Sequence, residues 1–214
     1  MKLKQLFEAP QQIGPTEFGL DNIETNKKFG NYLLHGIKTR YMTKTPLYKI
    51  DEATLWELKK QYALIRDSDN YVSYYMKFQF NHIKAIDRLC VSQVIVWRSQ
   101  GYYPDPSISK KIFNDLIFKY KTVITDSMQM GNGRGFWQLR IAEALAASMH
   151  VYYLNYSNSN YELIEISTHS DYFDVLNAKQ PYGPTGDYQR KRFIITTEQF
   201  DNSVKFKDVK TVDK

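Results

Sequence analysis

Two adjacent runs of aromatic and β-branched residues constrain the fold of this chain more than any other feature. Residues 71–83 read YVSYYMKFQFNHI and residues 88–99 read RLCVSQVIVWRS, with only KAID between them. Such side chains favour strands because they pack well on a pleated surface. The short connection predicts two neighbouring antiparallel strands, the second of which is long enough to lie centrally in a sheet.

Helices and strands alternate after these runs. Residues 107–120 predict a helix, because Ser107 is a good N-cap and a wide apolar stripe runs from Ile112 to Tyr120. A short strand, a helix, two strands and a late strand are predicted next, at residues 121–126, 133–148, 149–156, 161–167 and 192–197. Strands joined through helices imply crossovers, so we expect an α/β (α+β) fold with a mixed, mostly antiparallel central sheet flanked by helices.

Residues 1–46 differ from the rest because glycine and proline recur throughout them. They interrupt every candidate element before it reaches three turns, which predicts an extended N-terminal arm. The side chains expected to hold the arm against the body are Phe18, Leu20, Tyr32 and Leu33. A partly disordered terminus is the alternative. We therefore divide the chain into an arm at 1–46, a domain at 47–200 and a polar C-terminal tail at 201–214.

A helix is predicted directly after the arm. Asp51 is a suitable N-cap, and apolar residues follow at the three-and-four spacing of one helical face, at Leu55, Leu58, Tyr62 and Ile65. The sequence RDSDN at 66–70 is typical of a turn that ends such a helix.

Composition restricts the class of protein. The chain has 214 residues and 43% hydrophobic content, enough for a buried core without a metal or disulfide staple. Its only cysteine, Cys90, lies in an apolar run, so no intramolecular disulfide can form and a cytoplasmic location is expected. No run approaches the roughly 20 apolar residues of a membrane span, so no membrane partner is expected.

The net charge of +6 raises the question of nucleic-acid binding. Lysines are interleaved with acidic residues, and only YQRKRF at 188–193 is locally dense in positive charge. These features favour a solvated basic surface over a nucleic-acid face, which stays as the alternative. Within YQRKRF, Arg190, Lys191 and Arg192 are candidates for binding phosphate, although a solvated loop explains them more simply.

Neither a metal site nor a familiar nucleotide motif is indicated. The four histidines have no HxxxH or CxxC companions, which disfavours zinc. Gly131, Gly133 and Gly135 are spaced by two and match neither the dinucleotide nor the P-loop pattern, so we interpret them as the bent entrance to a helix. Arg134 stands at that entrance, where the helix dipole disfavours a cation, which predicts an acidic partner such as Asp126 or an anionic ligand.

The order of elements from 71 to 167 resembles the GNAT-type N-acetyltransferase fold. In that family a central strand ends at a splayed loop, and the following helix points its N-terminus at the pyrophosphate of acetyl-CoA. A strand, a second helix and a final pair of strands complete the core. Similarity to GNAT-related proteins of tailed phages rests on Asp126, Gln129, Arg134, Phe136, Trp137 and the strand HVYYLN.

The resemblance implies acetyl-CoA as the cofactor, with no metal. The residues expected to bind it are Val94, Val96, Arg98, Gln100, Gly101, Ser107 and Arg134. A helix N-terminus leaves backbone N–H groups that favour an anion. Here Pro104 and Pro106 stand in the loop where the family supplies further amides, and proline has no N–H. The phosphate-binding loop is therefore degenerate.

Acetyl transfer needs a base for the amine proton and an acid for the departing thiolate. The family often uses a tyrosine on the second helix, and this chain has Trp137 at or beside that position, where an indole N–H is not a useful proton donor. The resemblance leaves as catalytic candidates Tyr152, Tyr153 or His150 for the acid and Glu162 or Glu165 for the base.

Two functions remain open. One is an acetyl-CoA-dependent N-acyltransferase that acts on an amine acceptor. The other is a catalytically inactive GNAT-like scaffold, acting as a phage structural or host-interaction protein on a virion or host protein, in the host cytoplasm or the virion. Fold likeness alone does not establish activity, because sites rather than folds carry function.

Overall fold

A computed structural model describes residues 20–36, 43–84, 86–99, 107–125, 132–156, 161–179, 181, 190–201 and 204–205. At 94–95, 132–134 and 204–205 it describes the backbone alone. This part of the chain contains four helices: α1 (Ile23–His35), α2 (Ile108–Tyr120), α3 (Asn132–Ala146) and α4 (His169–Lys179). Its strands are β1 (Thr45–Ile50), β2 (Ala53–Leu58), β3 (Gln61–Arg66), β4 (Val72–Ile83), β5 (Arg88–Arg98), β6 (Thr122–Ile124), β7 (His150–Asn155), β8 (Glu162–Ile166), β9 (Lys191–Thr196) and β10 (Val204–Lys205).

The fold class is confirmed: the protein is α+β, with a mixed, mostly antiparallel, open sheet. The described residues divide between two compact units. Unit 1 takes those within Met1–Gln79 and Gln93–Ser109, and unit 2 takes those within Phe80–Ser92 and Lys110–Lys214. The long strands β4 and β5 contribute residues to both units.

In unit 1, β1 to β4 form an antiparallel meander and β5 lies beside β4. The backbone N–H of Ser99 donates to the Ser73 carbonyl at 2.8 Å. In the part of β4 and β5 that belongs to unit 2, Asn81 Nδ2 donates to Ser92 Oγ at 2.8 Å. Partner numbers on β5 fall as those on β4 rise, so the prediction of two neighbouring antiparallel strands is confirmed.

The helix predicted from Asp51 to Ile65 is wrong, because these residues form the β2–β3 hairpin and the turn before it. Leu58 pairs with Gln61, which leaves Lys59 and Lys60 as a two-residue turn, and Lys60 has a φ of 58°. Positive φ suits the tight turns of twisted hairpins. The helical spacing of the apolar residues arose because side chains on both faces of this hairpin are buried, which removes the strict alternation of a half-exposed strand.

Helix α1 also departs from the expectation that glycine and proline interrupt every element in 1–46. Asn22 caps it by accepting the N–H of Thr25 at 3.0 Å, and the helix continues for 13 residues. Leu20 and Leu33 are buried in the core of unit 1, as expected of residues that hold this segment to the body. The extended arm predicted for 1–46 is therefore wrong at 23–35, which are helical. Residues 1–19, including Phe18, lie outside the described residues, so for them the extended arm stays a prediction.

Unit 2 is ordered β4–β5–β6–β9–β7–β8–β10. β5 runs parallel to β6, with Val91 opposite Val123, and α2 connects them. β9 lies between β6 and β7 and is antiparallel to both, so β6 and β7 run in the same direction with α3 between them in the chain. The predicted helices at 107–120 and 133–148 and the predicted strands are confirmed, whereas the insertion of β9 was not foreseen.

Helix α4 was missed by the sequence reasoning, although a capping box marks its start. Thr168 Oγ1 accepts the N–H of Asp171 at 3.1 Å, and Asp171 Oδ2 accepts the N–H of Thr168 at 3.0 Å. This reciprocal pair is a known signal for a helix N-terminus. None of the helices within the described ranges is long and apolar enough to cross a membrane.

Candidate functional site

The cofactor candidates on β5 alternate between exposed and buried positions. Val96 is 41% exposed and Arg98 is exposed, while Trp97 between them is buried in the core of unit 1. The side chain of Val94 is outside the described part of the chain. Because successive strand residues face opposite sides, Val96 and Arg98 share one face of the end of β5.

The next candidates flank the start of α2. Ser107 is exposed and directly precedes Ile108, the first residue of the helix, as predicted for an N-cap position. The first turn of α2 carries no acidic residue, so no side-chain carboxylate there competes for the helix N-terminus. Gln100 and Gly101 lie outside the described residues.

Arg134 lies in the first turn of α3, which confirms its predicted position at a helix entrance. Its side chain and Asp126 are outside the description, so their pairing stays a prediction. Trp137, one turn later, is buried, and its ring meets those of Phe113 and Phe136 edge-on at 6.0 and 5.5 Å. The position that the family resemblance assigns to a proton donor therefore holds a side chain packed between α2 and α3.

Tyr152 on β7 has no exposed surface. Its hydroxyl oxygen accepts the backbone N–H of Phe200 at 3.0 Å, and its ring stacks on the Phe200 ring with centroids 4.7 Å apart. These contacts attach the chain after β9 to the hydrophobic core of unit 2. Tyr152 thus has a packing role whether or not it also acts in catalysis.

Tyr153 faces the opposite side of β7 and is also fully buried. Its ring packs against Phe193 at 5.8 Å, and its hydroxyl has no hydrogen-bond partner among the residues that the structure describes. Burial, with a smaller contribution from the charge of Glu162, raises the pKa of Tyr153 far above its ordinary value. The hydroxyl therefore stays protonated at neutral pH and is a weak acid.

The two candidate bases lie on β8 and both have cationic or ionisable neighbours. Glu162 Oε1 is 2.7 Å from Lys179 Nζ, and Glu165 Oε1 is 3.8 Å from His150 Nδ1. Strand alternation puts Glu162 on the face of Tyr153 and Glu165 on the face of Tyr152. The structure therefore brings Tyr153 and Glu162 together but separates them from Tyr152 by the sheet.

The basic cluster at 190–192 is divided between the two faces of β9. Lys191 Nζ donates to the carbonyl of Lys179 at the end of α4, at 2.8 Å. Arg192 Nε donates to the hydroxyl of Tyr156 at 3.1 Å. Neighbouring strand residues point to opposite faces, so Lys191 and Arg192 do not form one phosphate-binding patch.

The environment of Cys90 does not activate its thiol, and the described residues contain no group suited to a metal ion. Burial raises the pKa of the Cys90 thiol to about 12, so it is protonated and a poor nucleophile at neutral pH. Within the described ranges, no three His, Cys, Asp or Glu side chains are grouped so that they could hold a metal ion.

Sequence reasoning missed the polar residues that organise the end of β5, above all Asn26 and Tyr71. Asn26 is completely buried in α1, and Tyr71 precedes β4 with 7% of its surface exposed. An asparagine among the apolar positions of a helix is the one sequence signal that could have drawn attention to Asn26. Comparison with protein-family models gave no match for this chain, and a search of curated proteins gave no significant match either.

Proposed function

We propose that this chain is a GNAT-like protein that binds acetyl-CoA and transfers the acetyl group to an amine. The observation that carries the proposal is the succession β5–α2–β6–α3–β7, in which β5 is parallel to β6 and β7 runs in the same direction as β6. This succession is the order of strand, helix, strand, helix and strand that the resemblance rests on.

The exposed positions at the end of β5 and the start of α2 support a role in cofactor binding. Arg98 supplies a guanidinium able to pair with phosphate, and Ser107 directly precedes a helix N-terminus, which favours anions. These two residues belong to unit 1. The cofactor phosphates are their proposed ligands.

In the transfer itself, the amine nitrogen forms a bond to the acetyl carbon and the carbon–sulfur bond to coenzyme A breaks. The amine loses a proton and the departing thiolate takes one. Among the catalytic candidates, Glu162 is the proposed base and Tyr153 the proposed acid, because these two lie on one face of neighbouring strands. Lys179 Nζ lies 2.7 Å from Glu162 Oε1, so a cation stands beside the proposed base.

A catalytically inactive scaffold is the second candidate function, and a specific observation favours it. Tyr152 and Tyr153 have no exposed surface, and Trp137 is packed between helices. Groups enclosed in this way have no contact with a substrate unless the surrounding structure opens. In this reading the GNAT-like domain serves as a structural or interaction protein that binds a virion or host protein.

Titration with acetyl-CoA, followed by calorimetry or thermal unfolding, tests the first proposal. At 100 times its Kd the ligand is expected to add about 2.7 kcal/mol to the free energy of unfolding. Arg98→Ala should weaken binding, whereas Arg88→Ala, at the other end of β5 and half exposed, should not. No stabilisation at millimolar acetyl-CoA would overturn cofactor binding, and equal Kd values for both variants would move the phosphate site away from Arg98.

The two proposed functions, acetyltransferase and inactive scaffold, are distinguished by measuring the release of free coenzyme A thiol in the presence of amine acceptors. An enzyme should release thiol, and Glu162→Gln should abolish the release while leaving the Kd for acetyl-CoA unchanged. Tyr161→Phe, an exposed tyrosine next to Glu162, is the control for local disturbance. Binding without thiol release from any amine would favour the scaffold, which should then form a stable complex with a virion or host protein.

A further inference from the structure

A series of buried hydrogen bonds in unit 1 leads from α1 to the end of β5. It begins at Asn26, which has no exposed surface. Asn26 Oδ1 accepts the backbone N–H of Val72 at 2.6 Å, and Asn26 Nδ2 donates to the carbonyls of Val72 and Leu20 at 2.9 and 3.1 Å. One side-chain amide thus binds both backbone groups of the first residue of β4, as a neighbouring strand would.

The next residue, Ser73, occupies an irregular position in the sheet. On β3, Leu64 pairs with Tyr74 and Ile65 pairs with Val72, so Ser73 is the extra residue of a bulge. Its hydroxyl donates to the carbonyl of Leu64 at 3.2 Å, and its own carbonyl accepts the N–H of Ser99 at 2.8 Å. The bulge therefore joins the start of β4 to the residue that follows β5.

Ser99 is held a second time through its side chain. Its Oγ lies 2.7 Å from the hydroxyl of Tyr71, and both residues are buried. The Tyr71 carbonyl accepts the N–H of Arg66 at 2.8 Å, and the Arg66 guanidinium lies 5.1 Å from the centre of the Tyr71 ring. Trp97, on the other side of Arg98, is buried in the same core as Phe29 and Leu33 of α1.

We propose that Asn26, Tyr71, Ser73 and Ser99 form a polar clamp that positions the exposed Arg98 for the phosphates of coenzyme A. Arg98 stands between two buried and fixed residues, so its backbone is ordered before any ligand arrives. Ordering a cationic side chain in advance lowers the entropic cost of binding. Asn26 and Tyr71 are positioning residues in this proposal, which rests on the proposed cofactor function for the role of Arg98.

Hydrogen exchange of the free protein tests the clamp without any ligand. Tyr71→Phe keeps the ring and removes the hydroxyl, so the Ser99 amide should exchange about tenfold faster, as expected for the loss of one hydrogen bond from its surroundings. Amides of the β2–β3 hairpin should keep their protection. Ser99→Ala should have the same effect on its own amide, and Ser68→Ala, an exposed serine in the same unit, should have none. Unchanged exchange at residue 99 in Tyr71→Phe and Ser99→Ala would overturn the clamp.

A double-mutant cycle on the acetyl-CoA Kd tests whether the clamp acts through Arg98. Tyr71→Phe should weaken binding about three- to tenfold when Arg98 is present and have no effect in the Arg98→Ala background. Equal weakening in both backgrounds would show that Tyr71 does not act through Arg98. If the wild-type protein binds no acetyl-CoA, the cofactor role of Arg98 is overturned together with the proposed function, while the exchange result still decides whether the clamp exists.

Discussion

Two fully buried polar side chains, Asn26 in unit 1 and Tyr153 in unit 2, are accommodated in different ways. In unit 1, Asn26 has no exposed surface, and its side chain makes three hydrogen bonds to backbone groups. In unit 2, the equally buried hydroxyl of Tyr153 has no partner among the described residues and lies in an aromatic cluster with Phe193 and Tyr172. Directional hydrogen bonds therefore fix the side chain of Asn26, whereas close packing of aromatic rings fixes that of Tyr153.

The largest effect is expected for Asn26→Ala, which removes the hydrogen-bond partner of both the N–H and the carbonyl of Val72. Buried groups left unpaired cost about 1–3 kcal/mol each, so the free energy of unfolding should fall by about 4 kcal/mol. Asn31→Ala, at an exposed position on the same helix, should change it by less than about 0.5 kcal/mol. Urea unfolding of both variants gives the comparison. Similar losses in the two variants would show that the hydrogen bonds of Asn26 contribute little to stability.

The second largest change in stability is expected at two glycines, one in each unit. A Cβ at Gly30 would lie 1.8 Å from the carbonyl oxygen of Asn70, whereas a Cβ at Gly135 meets nothing within 4 Å. Gly30→Ala should destabilise by about 3 kcal/mol through overpacking. Gly135→Ala should stabilise by about 0.5–1 kcal/mol, because alanine favours a helix. Thermal unfolding should show shifts of opposite sign, and a harmless Gly30→Ala would mean that α1 packs less tightly on the 67–71 turn.

Tyr153→Phe tests how the buried hydroxyl of Tyr153 in unit 2 affects stability. Removing a buried hydroxyl that has no partner among the described residues should raise the free energy of unfolding by about 1 kcal/mol, since its desolvation is no longer required. Tyr152→Phe should have the opposite sign, because that hydroxyl accepts the N–H of Phe200. Chemical denaturation of the two variants measures the difference. Destabilisation by Tyr153→Phe would reveal a partner for its hydroxyl and remove the contrast between Tyr153 and Asn26.

The smallest effect concerns the acidic stability of unit 1. The Arg66 guanidinium, assisted by Lys27 and the N–H of Tyr71, lowers the pKa of Asp69 well below its ordinary value of about 3.9. A carboxyl with a lowered folded-state pKa stabilises above its unfolded pKa, and this stabilisation is lost as the pH falls through the folded-state value.

Asp69→Asn should therefore cost about 1 kcal/mol at pH 7 after solvent screening, and less with each unit of pH below about 4. Asp21→Asn, at an exposed position in the same unit, is the control. Unfolding measured from pH 7 to pH 2 gives the dependence, and a cost that is constant over this range would show that Asp69 is not held ionised by Arg66.

Elements with strong local patterns could be predicted from the sequence. The aromatic runs of β4 and β5 and the apolar stripe of α2 agree with the structure because each pattern reports burial of its own element. The β2–β3 hairpin was mistaken for a helix, since burial of both faces hid its alternation and the turn at Lys59 and Lys60 lacks the usual Asn-Gly signal. Helix α4 had a usable signal in Thr168 and Asp171 that was not recognised.

The candidate site could be predicted only where it depends on position along the chain. Ser107 precedes α2 and Arg134 lies in the first turn of α3, as the helix-start signals indicated. Strand alternation also separates Tyr152 from Tyr153, but their burial depends on what packs on each face, namely Phe200 on one and Phe193 on the other. Single-sequence patterns do not contain these partners.

By itself, the sequence determined the α+β class, the crossover helices and the core positions of the central strands, because these follow from local propensity and periodicity. Only the tertiary structure decided that β9 lies between β6 and β7 and that Asn26 binds Val72, 46 residues further along the chain. Both depend on contacts between distant segments. Such pairings are selected by the total free energy of packing and hydrogen bonding, which no local pattern encodes.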